Sequence, residues 1–180
     1  MIETSRLLLR RFEPADAPAL RAYRSDPEIA RYQAWPSPLS AEDAAEAVRK
    51  YSEADPEQPG WFQYAVELKA DRSLVGDLGV NLDENLMQAE LGGTLTPALH
   101  GQGYAIEALH GILGHLFCRG LHHVRAECDA RNTASARLLE RAGFDLEGRS
   151  TESLWQRGEW SDCLLFGLLA RNWKPQSVAS

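Results

Sequence analysis

Residues 100–118 are HGQGYAIEALHGILGHLFC, and they carry the clearest structural signal in the chain. From Tyr104 onward the apolar side chains recur at helical spacing, which predicts an amphipathic helix that ends at Gly120. Gly101 and Gly103 come just before this helix, where small residues let a ligand approach the backbone closely. Free N–H groups and the positive end of the helix dipole attract anions at such a position. The stretch therefore predicts either a site for a phosphate or pyrophosphate, or a plain tight turn.

Strands are predicted on both sides of this helix, at 87–95 and 123–127, which makes a strand–helix–strand crossover. The Gly92-Gly93 pair in the first strand suggests a bulge or a close backbone approach. Alternating apolar residues and turn signals predict the remaining elements. Further strands fall at 7–12, 62–68, 74–82, 150–156 and 162–169, and further helices at 14–24, 40–52 and 133–142. The predicted fold class is α+β, with a mixed and mostly antiparallel sheet.

The composition is that of an ordinary globular protein. Its 180 residues, 44% hydrophobic and 25% charged, predict one domain that spans 1–180. The net charge of −7 argues against nucleic acid and anionic membranes as bulk partners. Three cysteines make no disulfide framework, and we expect no signal segment and no membrane span, hence a cytoplasmic location. The spacing of the five histidines indicates no metal site.

Several motifs accompany the glycine-rich stretch along most of the chain. They are Thr4-Ser5-Arg6-Leu7-Leu8-Leu9-Arg10, Asp26-Pro27-Glu28, Leu91-Gly92 before Pro97, Gly101-Gln102-Gly103-Tyr104-Ala105 with Glu107-Ala108, Asn132-Thr133-Ala134-Ser135, and Ala142-Gly143-Phe144 with Glu147-Gly148. With them the chain resembles the GNAT N-acetyltransferases, and within that family the RimJ/RimL-type branch. The resemblance implies the GNAT fold, in which a central pair of strands splays apart and helices cover both faces of the sheet. It also implies acetyl-CoA as cosubstrate.

The resemblance assigns the cofactor site. In the family the glycine loop holds the pyrophosphate of acetyl-CoA, and here that loop is Gly101, Gln102, Gly103, Tyr104 and Ala105. His100 stands where the family usually has Gln or Arg, so the backbone cradle is kept and the side chain differs. Edge amides near Leu95 and Thr96 are expected to hold the pantetheine arm where the strands splay. Asn132 is expected to contact the cofactor near that opening, and it also suits a helix N-cap.

Acetyl transfer needs a neutral amine, a polarised thioester carbonyl and a proton for the leaving thiolate. Ser135 matches a serine proposed for the last role in the RimJ/RimL-type branch, while Leu139 stands where many GNAT enzymes have a tyrosine. The other interpretation of Ser135 is a hydroxyl bonded within its own helix. Glu90 lies beside Gly92 on the strand that should reach the acetyl group, so it is the candidate base, or else a solvated strand residue. Glu107 belongs to the family pattern but better suits a structural role.

Four aromatic residues fall in segments that border the acceptor groove in the family: Tyr32, Trp35, Trp155 and Trp160. Each of them either shapes acceptor specificity or is an ordinary packing aromatic. At about pH 7.4, deprotonating an α-amine costs about 0.4–0.8 kcal/mol, against about 4 kcal/mol for a lysine side chain. A site without a compelling base therefore favours a protein or peptide N-terminus as acceptor. The alternatives are a small-molecule amine of the antibiotic type, or a non-catalytic acyl-CoA-binding module. A homodimer is left open.

Overall fold

Eight strands form one sheet, in the order β1-β2-β3-β4-β5-β6-β8-β7, in a computed structural model that describes residues 1–33 and 35–175. Neighbouring strands run antiparallel except β5 and β6, which are parallel. The strands are β1 (Ile2–Glu3), β2 (Leu7–Arg11), β3 (Gly60–Leu68), β4 (Leu74–Leu82), β5 (Gln88–Leu95), β6 (His123–Asp129), β7 (Asp145–Gln156) and β8 (Glu159–Leu169). The mixed, mostly antiparallel sheet predicted from the sequence is thereby confirmed.

Helices lie on both faces of this sheet. They are α1 (Ala17–Arg24), α2 (Pro27–Ala30), α3 (Ala41–Glu53), α4 (Tyr104–Cys118) and α5 (Thr133–Arg141). Alternate residues of β3 show which helices cover which face of the sheet. Tyr64 and Val66 belong to the apolar cluster of α4 on one face, whereas Ala65 between them packs with Leu20 of α1 and Val48 of α3 on the other. No helix in the described ranges is long and apolar enough to cross a membrane.

The parallel pair β5 and β6 separates halfway along its length. Their pairing runs from Gln88 opposite His123 to Leu91 opposite Ala126 and goes no further. Beyond that point β5 continues to pair with β4 as far as Leu95, and β6 continues with β8 as far as Asp129. The two strands therefore diverge toward their carboxyl ends, which confirms the predicted splayed pair and leaves an opening in the sheet.

Two local expectations need correction. The register of β5 on β4 is unbroken through Gly92 and Gly93, so there is no bulge at that pair. Gly93 instead reflects a close approach, since an added Cβ would contact the Leu78 side chain and lie 3.2 Å from the Asp77 carbonyl oxygen. Strand β7 begins earlier than predicted, because it is an edge strand with mostly exposed side chains and shows no apolar alternation.

His110 gives the stability of the fold a dependence on pH. Its ring lies 5.2 Å from that of Trp173, and neither ring nitrogen has a hydrogen-bond partner among the residues described. Burial lowers the pKa of His110, so the folded chain disfavours the imidazolium. As the pH falls below about 6.5, the unfolded chain takes up that proton more readily, and the free energy of unfolding decreases.

We therefore expect His110→Phe, which keeps the aromatic contact, to flatten the fall in Tm as the pH is lowered from about 7 to about 5. Thermal denaturation followed by circular dichroism across that pH range measures the effect. His122→Phe is the matched control, because His122 is exposed and its replacement should leave the slope unchanged. Equal slopes in the His110→Phe variant and the original chain would show that His110 does not carry the effect.

Candidate active site

The loop before α4 exposes a row of backbone donors. Gly101 and Gly103 adopt φ angles of 73° and 82°, in the left-handed region that other residues enter only at a cost. Within the described residues, the backbone N–H groups of residues 101–106 donate to no acceptor in the chain. These unpaired groups lie at the positive end of the α4 dipole, an arrangement that attracts anions.

Side chains of the loop support its backbone. The Nε2 atom of His100 lies 2.9 Å from the Leu95 carbonyl oxygen. The side-chain amide of Gln102 donates to the Ala98 carbonyl oxygen at 2.8 Å. His100, which replaces the usual Gln or Arg, thus connects the glycine loop to the end of β5. Both side chains hold the loop in shape, which leaves the ligand contacts to the backbone.

The free backbone N–H groups at the edge of β5 are those of Gly93 and Leu95, because His100 already contacts the Leu95 carbonyl oxygen. The Thr96 N–H donates to the Val75 carbonyl oxygen on the β4 side at 2.8 Å. Because backbone groups alternate in direction along a strand, those of Gly93 and Leu95 point toward β6, where pairing has already ended. The edge amide expected of Thr96 is therefore not available. Gly93, which the sequence marked only for a bulge or a close backbone approach, offers an edge amide instead. The alternation of backbone direction, counted back from Leu95, would have identified it.

Asn132 and Ser135 stand at the start of α5, just beyond the carboxyl end of β6. The Oδ1 atom of Asn132 accepts a hydrogen bond from the Ser135 N–H at 3.1 Å, which confirms its N-cap role. In the described part of the chain, the side-chain amide nitrogen of Asn132 and the hydroxyl of Ser135 have no hydrogen-bond partner. Leu139, one turn further on, is buried at 8% exposure. The structure thus leaves two polar groups free beside the opening.

Glu90 is a half-buried carboxylate in the last paired part of β5. Burial and the charge of Glu127 raise its pKa, although Arg125 acts in the opposite direction. The Nη2 atom of Arg125 lies 3.6 Å from a Glu90 oxygen, but that guanidinium donates two hydrogen bonds of 2.9 Å to Asp83. The Glu90 carboxylate therefore has no strong ion pair of its own. A raised pKa in this position suits proton transfer.

The predicted acceptor residues separate into two groups. The Tyr32 hydroxyl donates to the Arg131 carbonyl oxygen at 3.4 Å, which brings it to the loop after β6. Trp155 is 58% exposed and its ring lies 5.1 Å from that of Trp160. Trp35 instead packs with α1 and α3, and its indole N–H donates to a backbone carbonyl at 3.1 Å. Tyr32 and Trp155 are thus accessible to a ligand, whereas Trp35 serves packing.

A second contact ties the same region together. The Nε atom of Arg157, in the turn between β7 and β8, donates to the Ala30 carbonyl oxygen of α2 at 2.9 Å. Together with Tyr32, this contact joins α2, the loop after β6 and the turn after β7. The three segments therefore meet near the carboxyl end of β6.

A mixed sheet with a splayed parallel pair, beside a glycine loop of free amides, is the arrangement that the resemblance to an acyltransferase family implied. The family model of the acetyltransferase (GNAT) domain matches residues 6–145 of the chain. The protein therefore belongs to the GNAT family and is an N-acetyltransferase, as the sequence motifs predicted.

Individual relatives agree with this assignment. The chain is 28% identical to the uncharacterized N-acetyltransferase YoaA of Bacillus subtilis (strain 168) over an alignment of 171 residues. That alignment covers 94% of this chain and 96% of the relative. A GNAT-family acetyltransferase from Bacillus anthracis superposes with a TM-score of 0.86 at 29% identity, over 94% and 98% of the two chains. RimL, the ribosomal L7/L12 alpha-N-protein acetyltransferase solved in complex with coenzyme A, has the same fold at 20% identity, with a TM-score of 0.81 over 92% and 95%.

Proposed function

We propose that this protein transfers the acetyl group of acetyl-CoA directly to the N-terminal α-amine of a protein or peptide, in a complex that holds both substrates. The observation that carries the proposal is the row of unpaired N–H groups at residues 101–106, next to the opening between β5 and β6. The pyrophosphate binds to that row, and the pantetheine arm runs along the free edge at Gly93 and Leu95. The amide of Asn132 donates to the cofactor across the opening.

The residues around the opening divide the chemistry between them. Glu90 accepts a proton from the attacking amine, directly or through water, and its raised pKa places it nearer to neutral pH than an ordinary carboxyl. The neutral amine nitrogen then forms a bond to the thioester carbon, and the carbon–sulfur bond breaks. The Ser135 hydroxyl, which has no other described partner, protonates the leaving thiolate and is reprotonated, through water, by the proton that the attacking nitrogen releases as it becomes an amide. Amide N–H groups of the strand edge stabilise the oxygen of the tetrahedral intermediate.

Two observations support an α-amine as acceptor. Glu90 is one carboxylate with a nearby arginine, which is a modest base, and an α-amine costs about 3 kcal/mol less to deprotonate at neutral pH than a lysine side chain. Asp83, Glu90 and Glu127 outnumber Arg125 on this face, which favours a cationic partner. RimL, the ribosomal L7/L12 alpha-N-protein acetyltransferase, has the same fold, and its acceptor is of the class proposed here.

Thiol release from acetyl-CoA, measured with a panel of acceptors, tests the proposal. We expect turnover with short peptides that have a free N-terminus, and none with the same peptides acetylated at the N-terminus but carrying a lysine. Mass spectrometry of the product should place the acetyl group on the α-nitrogen. Turnover confined to small amines, including antibiotics, would contradict the acceptor, and acetyl-CoA binding without turnover on any amine would contradict catalysis.

A further inference from the structure

We propose that Arg6 is a positioning residue for the cofactor loop, because it fixes the Gln102–Gly103 peptide so that the Gly103 N–H faces the cofactor phosphates. The inference rests on the proposed binding of acetyl-CoA at residues 101–106. Arg6 lies 96 residues away from Gln102 in the chain, in the segment between β1 and β2. Its motif accompanies the glycine-rich stretch in the sequence, but the sequence does not show that the two are in contact.

Arg6 touches three consecutive residues of the loop. Its Nη1 atom donates to the Gln102 carbonyl oxygen at 3.1 Å. A Cβ added to Gly103 would lie 3.4 Å from its Nη2 atom, so the guanidinium lies directly over that glycine. The guanidinium carbon is also 3.9 Å from the centroid of the Tyr104 ring, a cation–π contact with the first residue of α4.

Glu107 holds Arg6 from the other side. One carboxylate oxygen of Glu107 accepts hydrogen bonds from the Arg6 backbone N–H and from the Thr4 hydroxyl, both at 2.7 Å. The other oxygen accepts from the Arg6 Nε at 2.6 Å. Burial alone would raise the pKa of Glu107, but these hydrogen bonds outweigh it and keep the carboxyl ionised. An arginine that is 42% exposed is therefore held in one orientation by its backbone and its side chain together.

The geometry of the peptide bond relates the Arg6–Gln102 contact to the direction of the Gly103 N–H. In a trans peptide the carbonyl and the N–H point in opposite directions. When Arg6 holds the Gln102 carbonyl, the Gly103 N–H is directed away from Arg6, and no described residue accepts its hydrogen bond. Glycine at a φ of 82° has several backbone conformations of similar energy, so without Arg6 the peptide can rotate. Arg6 thus preorganises one donor of the phosphate site.

The charge of Arg6 supports the same conclusion. A cation beside a helix N-terminus is unfavourable in a free helix, because it opposes the positive end of the dipole. Glu107 in the first turn of α4 offsets that charge, and the anionic phosphates of the cofactor would offset it further. A purely structural anchor between β2 and α4 would not need a guanidinium that extends to the Gly103 backbone.

Arg6→Ala is the test variant, with coenzyme A binding measured by calorimetry and transfer measured with two thioesters. Loss of a charge-assisted hydrogen bond that orders the loop should weaken coenzyme A binding about tenfold and raise the KM for acetyl-CoA by a similar factor, with kcat nearly unchanged. The kcat/KM for S-acetylpantetheine, which lacks the nucleotide and its phosphates, should stay within about twofold, because that thioester does not use the loop. Arg6→Lys, which keeps the charge but cannot contact three residues, should recover only part of the affinity.

Arg119→Ala is the matched control, because Arg119 makes the same kinds of contact at the far end of α4, an ion pair with Glu57 at 3.3 Å and a hydrogen bond to the Pro56 carbonyl at 3.2 Å. Arg119→Ala should leave coenzyme A binding, and the kcat/KM for acetyl-CoA and for S-acetylpantetheine, unchanged. Unchanged coenzyme A binding in Arg6→Ala, or an equal loss with both thioesters, would overturn the proposal. If Arg6→Ala fails to fold, the same comparison of acetyl-CoA with S-acetylpantetheine is made with Arg6→Lys and Glu107→Gln, and a loss confined to acetyl-CoA would support the proposal. Failure of the original chain to bind coenzyme A would instead contradict the proposed function.

Discussion

Replacement of Glu90 by glutamine is expected to lower kcat by about a hundredfold, because the variant cannot take the proton of the attacking amine. Burial and the neighbouring Glu127 raise the pKa of Glu90, so the activity of the original chain should increase with pH through that raised pKa. In the variant, kcat should no longer fall on the acidic side of its pH profile, because that fall reflects protonation of Glu90. The pH profile of kcat/KM should then show only the titration of the acceptor amine. Stopped assays of thiol release across the pH range measure both quantities.

The stability of the Glu90→Gln variant should move in the opposite direction from its activity. A carboxyl with a raised pKa in the folded chain binds its proton more tightly there than in the unfolded chain, so its ionisation costs stability as the pH rises. Removing that charge should leave Tm at neutral pH equal or slightly higher. Glu84→Gln, in the exposed turn after β4, is the matched control and should change neither quantity. Full kcat in Glu90→Gln would exclude Glu90 as the base.

Replacement of Ser135 by alanine is expected to lower kcat by about a hundredfold as well, because the leaving thiolate loses its proton donor. The Ser135 hydroxyl makes no hydrogen bond with another described residue, so its removal should not weaken the fold. The Asn132 cap uses the Ser135 backbone N–H, which alanine keeps, so coenzyme A affinity should also be retained. Presteady-state thiol release at saturating acetyl-CoA separates this chemical step from binding.

Thr133→Ala provides the comparison for Ser135, since it removes an exposed hydroxyl from the same first turn of α5. It should leave kcat unchanged within about twofold, the range expected for a surface substitution away from the chemistry. Full turnover in Ser135→Ala would remove Ser135 as the acid, and the family assignment and the cofactor loop would be unaffected. Reduced turnover in both variants would point to disturbance of the α5 cap.

The sequence predicts best those features that depend on neighbours in the chain. The helical spacing of apolar residues predicted helix α4 with the bounds Tyr104–Cys118 that the structure has. The Asn132 cap involves only Asn132 and Ser135, three residues apart, so it too could be predicted locally. The splayed strands came from the resemblance to the GNAT family, since no local pattern shows where the pairing of two strands ends.

The features that the sequence did not predict depend on contacts between distant segments. Arg6 meets Gln102 and Glu107 across about a hundred residues, and the packing of α4 against β1 and β2 brings them together. The free edge of Gly93 depends on which side of β5 each N–H faces, and the interpretation of Thr96 was wrong for the same reason. Trp35 is partly buried against the apolar cluster of α1 and α3, with the Arg24 guanidinium 4.4 Å from its ring centroid, and its position in the sequence does not show this.

A calorimetric titration of the unmodified chain with acetyl-CoA tests the role of residues 101–106 most directly. The free amides at the start of α4 and the open edge of β5 predict saturable binding of one acetyl-CoA per chain, and binding should weaken as salt screens the phosphates. S-acetylpantetheine under the same conditions should bind far more weakly, because it has no phosphates for the loop. Absence of any heat of binding up to millimolar acetyl-CoA, or equal affinity for the two thioesters, would contradict the assignment of this loop as the cofactor site.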